Sequence, residues 1–204
     1  MGRLVKAFSF SYISFGMAMC VFTTVNMKNH QAPDSGAKAR GSKYTGQSIK
    51  PIPIHILTVG KTRSPGVQLI VKDYMEKLKP YCPVNDLRIR SNPKNSIDAR
   101  VQVENEETGF MNFIKPDDWV VMLDENGKDL KSEEMADLIG DAGSGSRLVF
   151  CIGGAYGHGM KLRERANVKV KLSSLVLNHE IALVVLVEQL YRAWTILKGQ
   201  KYHH

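Results

Sequence analysis

Four glycines follow an apolar run in the stretch "LVFCIGGAYGHGMK", residues 148–161. Glycine there lets backbone N–H and C=O groups approach a flat ligand with no Cβ in the way. Junctions of this kind hold nucleotides and cofactors in many α/β proteins, but two phosphate-binding patterns fail here on spacing. Gly154 and Gly159 have the separation of a P-loop, yet Met160 stands at the lysine position. A dinucleotide fingerprint begun at Gly157 and Gly159 meets Leu162 where its third glycine belongs. The loop therefore points to a ligand gripped by backbone rather than to a phosphate.

Other polar residues stand where apolar runs end. Asp124 and Glu125 are adjacent carboxylates that suit acid–base work or, as "DENGK" favours, the opening of a turn. Ser173-Ser174 and Asn178-His179 flank a further apolar stretch. His179 fits a capping or packing role at a helix start. Glu188 and Arg192 are spaced i, i+4, which suits an intrahelical ion pair and also lets Arg192 face a phosphate. Cys20, Cys82 and Cys151 show neither metal nor disulfide spacing. Cys151 reads as a small buried hydrophobe, and a reducing compartment fits the set.

The elements that must position these residues alternate along the chain. Strands are expected at "IPIHILTVGK", "DLRIRS", "DWVVMLDENGK", "RLVFCIGG" and "VKVKLSSLVL", the third followed by a turn. Helices are expected from Ser64 to about Leu78, over 97–114, from Ser132, and from Asn178 to about Lys198, with a turn at 143–146. Continuous apolar strands between helices predict an α/β fold, a mostly parallel sheet with helices on both faces. Ligands of such sheets collect outside the carboxyl ends of the strands, where Leu123, Gly154 and residues 175–178 lie. The last helix is apolar over more than one face, which favours a second subunit as its cover over a longer loop of the same chain. Glu188 and Arg192 exclude it as a membrane span.

The charge of +8 is uneven. Residues 1–50 carry seven Lys/Arg and one acid, whereas 51–204 carry 21 and 19, so bulk charge does not by itself argue for nucleic acid. The first thirty residues are basic, rich in Ser, Thr and Phe, and free of acids. A polar linker follows. Residues 1–50 thus read as an organellar transit peptide and linker, chloroplast before mitochondrion, with no membrane anchor in the mature form. Residues 51–204 form the folded domain.

"LDENGK", "FCIGGAYGHG", "LSSLVLNHEIALVVLVEQLYRAW" and the final "YHH" closely resemble the bacterial RlmH (YbeA) family, SPOUT-class methyltransferases acting on N3 of a pseudouridine in large-subunit ribosomal RNA. The likeness spans about residues 52 to 204. It implies a SPOUT α/β knot with a C-terminal trefoil knot, a homodimer, S-adenosylmethionine as cofactor and no metal. It places the cofactor at Leu123, Gly154, Ser173, Ser174, Leu175, Val176, Leu177 and Asn178. Catalysis would fall to His203 as base or positioning group, Tyr202 stacking on or orienting the target base, and Arg192 facing phosphate or developing charge. The partner would be large-subunit rRNA or the assembled ribosome. Three departures stand out: Leu183 where the family has Arg, Asn178 where it has Pro, and His204 where Lys or Arg is common. Leu183 and His204 keep open a second reading, a noncatalytic ribosome- or RNA-binding factor on the same fold.

Overall fold

A computed structural model of the chain describes residues 41–60, 62–90, 98–144 and 147–200. Its strands are β1 (Ile54–Val59), β2 (Val84–Ile89), β3 (Trp119–Asp129), β4 (Leu148–Ile152) and β5 (Val168–Lys171). Its helices are α1 (Pro65–Leu78), α2 (Ala99–Phe113), α3 (Ser132–Asp141), α4 (Met160–Arg165) and α5 (His179–Leu197). The strands form one sheet in the order β2-β1-β4-β3-β5, and every pairing is parallel. The fold is α/β, as the alternation of elements predicts.

A parallel sheet must be covered on both faces, and the alternation of side chains along each strand serves this. Ile54, Ile56 and Phe150 point into a core shared with α1, α3 and α5. Leu57, Val59, Val149 and Cys151 point the other way, onto Phe110 of α2 and Leu162 of α4. Cys151 is fully buried and Cys82 nearly so; burial pushes both thiols up, Cys82 to about 12, so neither is a nucleophile. The placement of β5 at an edge while α5 returns over β1 and β4 is consistent with the threading expected of a knotted C-terminus.

Several local expectations are corrected. The turn at "DENGK" lies inside β3: Leu123 and Lys128 both pair with Val170, so residues 124–127 bulge out and the strand resumes. Asp124 accepts the Asn126 amide at 2.9 Å, turn chemistry that sequence alone reads as a strand end. A Cβ at Gly127 would stand 2.5 Å from the Val170 carbonyl carbon, so only glycine lets the bulge lie on β5. Conversely, β5 stops at Lys171, because the Leu175 amide turns back onto Ser173 Oγ at 3.0 Å. Short α4 is not visible in the sequence pattern; Glu107, from α2, supports it by accepting the Leu162 amide at 3.0 Å.

The last helix is covered in large part within the chain. The sheet, α1 and α3 take its apolar faces within one chain, so the breadth of its hydrophobic surface does not by itself demand a partner. Residues 41–50, a linker by composition, pack onto the domain. Ser42 Oγ donates to Asp137 at 2.7 Å and the Tyr44 hydroxyl to Asp141 at 2.6 Å. Tyr44 lies over Gly140, where a Cβ would collide with its ring, and the Gly46 amide donates to the Leu197 carbonyl at 3.1 Å. Among the described residues no helix is long and apolar enough to cross a membrane.

Candidate active site

The carboxyl ends of β3, β4 and β5 surround a cavity of about 610 Å³, closed on a further side by the start of α5. That volume suits a small organic ligand. Leu123, Gly154, Ser173, Leu175, Val176, Leu177 and Asn178 line it; Ser174 belongs to the same segment but not to the lining. The wall mixes apolar groups such as Ile152, Val170 and Ala182 with backbone polar groups, and the glycine loop forms one side.

Each lining element has a local cause. The Gly157 amide donates to the Gly154 carbonyl at 3.1 Å, and Gly157 takes a positive φ of 76°, which closes a tight turn. A Cβ on Gly154 would sit 2.6 Å from Glu106 Oε2, and one on Gly153 3.0 Å from the Gly157 carbonyl oxygen. The loop is therefore pressed between the ligand space and a buried carboxylate of α2. Asn178 caps α5 by accepting the Glu180 amide at 2.9 Å, so its difference from the family's proline leaves the helix start intact. Glu180 in turn accepts from Ser64 N–H at 3.2 Å and Ser64 Oγ at 3.0 Å, tying the β1–α1 loop to this end of α5. The Arg63 guanidinium fixes the same loop by forking onto Asp86, with Thr58 Oγ1 accepting at 2.6 Å.

Sequence reasoning missed the support behind the cavity. His158 is buried and its Nε2 lies 2.9 Å from the Leu123 carbonyl. A carbonyl only accepts, so Nε2 carries the proton, and burial holds the ring's pKa below the ordinary histidine value. The imidazole thus pins the glycine loop to the end of β3. Burial pulls the Asp124 carboxyl up, but the Asn126 amide and the Arg163 guanidinium, 2.8 Å away, outweigh it and hold the group ionised. Asp124 is a structural anion here, not an acid–base catalyst. Glu106 receives a hydrogen bond from Gln102 at 2.9 Å, and Phe110 packs its ring 5.6 Å from His158. Only the "GHG" setting of His158 hints at this layer in the sequence.

Arg192 is not at the cavity of its own chain. It lies thirteen residues along α5 from His179, roughly 20 Å at 1.5 Å per residue, and bonds to Glu188 at 2.7 Å. Leu183, at the family's arginine position, is in the core and 1% exposed. His179 and Ala182 are the α5 residues that face the cavity. Tyr202, His203 and His204 lie outside the described residues. No group of three or more potential metal ligands gathers among the described residues.

Known proteins match this arrangement. The family model described as "Predicted SPOUT methyltransferase" matches residues 52–203. The chain belongs to the SPOUT methyltransferase family. An Arabidopsis thaliana protein whose name marks it as a candidate RNA methyltransferase is 59% identical over 175 residues, 85% of this chain and 91% of that one. "Ribosomal RNA large subunit methyltransferase H" of Clostridium novyi is 35% identical over 74% of this chain and 98% of its own. The enzyme of the same name from Bacteroides thetaiotaomicron is 34% identical over 73% and 97%. These relatives place the chain with the RlmH-type members of the family. A solved structure, the SpoU methyltransferase AviRb from Streptomyces viridochromogenes in complex with AdoMet, is alike only distantly: TM-score 0.39, 15% identity, 71% of this chain and 59% of that one.

Proposed function

We propose that the protein is an S-adenosylmethionine-dependent methyltransferase acting on large-subunit ribosomal RNA, with N3 of a pseudouridine as target. The observation that carries the reading is the cavity at the ends of β3, β4 and β5, lined by the glycine loop and the segment after β5 and of a size that suits a small organic cofactor. The P-loop lysine is absent, as a cofactor without phosphates allows. Gly154 and the segment from Ser173 to Asn178 would hold the adenosyl part, with Leu123 packing on it.

The bound cofactor supplies a methyl group on a sulfonium. The target nitrogen forms a bond to that carbon as the carbon–sulfur bond breaks and its electron pair stays on sulfur. The N3 proton leaves to a base or to water. Chain residues therefore have to orient two reactants in line, exclude water and take one proton. Orientation accounts for much of the acceleration of such displacements, and a general base for about 10²–10⁴-fold. His203 is assigned the base or positioning role and Tyr202 the orientation of the uracil. Arg192 is assigned to RNA phosphate or to charge developing on a uracil carbonyl.

Homodimerisation belongs to this reading. The span of α5 from His179 to Leu197 is about 27 Å, so the residues after Leu197 set out from a point far from the cavity at the first turn of that helix. A second copy gives them a cavity to act on. Exposed Leu69 and Ile70 on α1 and Ile181 on α5 offer apolar surface for it. The basic, Ser/Thr-rich leader supports an organellar ribosome as the setting, in chloroplasts before mitochondria.

The test incubates the protein with labelled S-adenosylmethionine and unmethylated large subunits or whole ribosomes, then maps the methyl group by nucleoside mass spectrometry. Label on N3 of one pseudouridine is the expected result. Cofactor binding with no transfer to either substrate would favour the noncatalytic factor. A folded protein that binds no cofactor would overturn the reading.

A further inference from the structure

Tyr156 is 56% exposed, an aromatic ring left largely in water at the rim of the cavity. A ring of this size gains by burial, so its exposure at a ligand site needs a reason. Its mounting supplies one. Tyr156 stands at the tip of the turn closed by the Gly154–Gly157 bridge and fixed by the positive φ of Gly157. Glu106 and His158 back that turn, and the loop has little room to shift. Leu175 and Val176, 77% and 79% exposed, give the same cavity further apolar lining.

We propose that Tyr156 and the neighbouring rim form a subsite for an unstacked base of the RNA substrate, with the ring as stacking platform. The inference rests on the proposed function and adds a substrate-binding residue to it. An enzyme working on a base must take that base out of its stack, and an aromatic face repays part of the cost. The closed turn presents the ring already oriented, so little freedom is lost on binding.

The experiment uses the full chain, S-adenosylhomocysteine as cofactor probe and a short single-stranded oligouridylate as RNA probe. Tyr156→Ala is expected to weaken oligonucleotide binding about 10-fold or more, the loss of one stacked base. Tyr156→Phe keeps the ring and should recover most of that affinity. Tyr156→Trp should show emission quenched by the oligonucleotide beyond the change seen in the unsubstituted protein. Affinity for S-adenosylhomocysteine should stay within about 2-fold in Tyr156→Ala, since the ring stands largely exposed at the rim of the cavity. Equal oligonucleotide affinity in Tyr156→Ala and the unsubstituted protein would overturn the proposal. So would a matched loss of S-adenosylhomocysteine, which would make Tyr156 a cofactor wall. An unsubstituted protein that binds neither probe would instead sink the proposed function, and the subsite with it.

Discussion

Two side chains behind the glycine loop set how far that loop can change. Gly154 has no space for a methyl group, because the Glu106 carboxylate would lie 2.6 Å from it and is itself buried. Gly154→Ala is expected to destabilise the fold by about 1–3 kcal/mol, the usual cost of overpacking, and to weaken S-adenosylmethionine binding. Calorimetric titration and urea denaturation measure both; unchanged values would mean that Glu106 swings away freely. His158 makes a separate prediction about acid. Its native pKa is held down by burial, so the unfolded chain takes up a proton below about pH 6.5 while the native ring stays neutral. Stability therefore falls as pH drops below that point and levels off only once the lower native value is passed. His158→Gln retains a donor for the Leu123 carbonyl and does not titrate, so its urea midpoint should fall less between pH 6.5 and 5. His55, lowered by burial and by Arg147, leaves a residual slope in both proteins. Parallel curves would remove His158 from the account.

At the level of elements, the strands and long helices were legible because each buries a periodic apolar face. What sequence periodicity misses are places where a side chain bonds its own backbone. The bulge of β3 depends on Asp124 and the end of β5 on Ser173, and both look like ordinary polar residues beside a strand. Helix α4 has six residues, too few for a helical period to show. The strap at 41–50 was hidden by its polar composition, since its partners Asp137 and Asp141 lie nearly a hundred residues away. The cavity-lining residues were reached from the motif likeness and from strand ends, whereas His158 and Glu106 act from the second side of the loop and carry no spacing of their own. The glycines give a paired test of this picture. Gly127→Ala must push on the backbone of β5 and should cost about 1–3 kcal/mol, with the 2.5 Å approach to Val170 as cause. Gly66→Ala, in the first turn of α1 with nothing within 4 Å, should be neutral or stabilise by up to about 1 kcal/mol. Equal effects in urea denaturation would mean that the bulge tolerates a side chain.

At the scale of the whole molecule, the roles proposed for His203 and Arg192 raise a question of reach. The cavity meets the first turn of α5, while Gln200, its amide on the Thr195 carbonyl, marks the opposite end of that helix. Three more residues span at most about 11 Å, against a helix of about 27 Å. If His203 acts in methyl transfer, it acts on the cavity of a second copy. Arg192, also far along α5, is subject to the same requirement. Charge placed on the exposed apolar surface, Leu69→Asp with Ile70→Asp, should then yield a folded monomer by sedimentation that still binds S-adenosylmethionine but transfers no methyl group. Mixing gives the sharper result. His203→Ala and a cavity-blocked Val176→Trp chain, altered at an exposed lining residue, should each be inactive alone. Co-refolded, a mixed dimer unites an intact cavity from the first with an intact tail from the second, and about half of the dimers should regain one working site by random pairing of the two chains. Recovery of methyl transfer in the mixture requires a site built from two chains. A mixture as inactive as its parts would confine the tail to its own subunit or remove it from the chemistry.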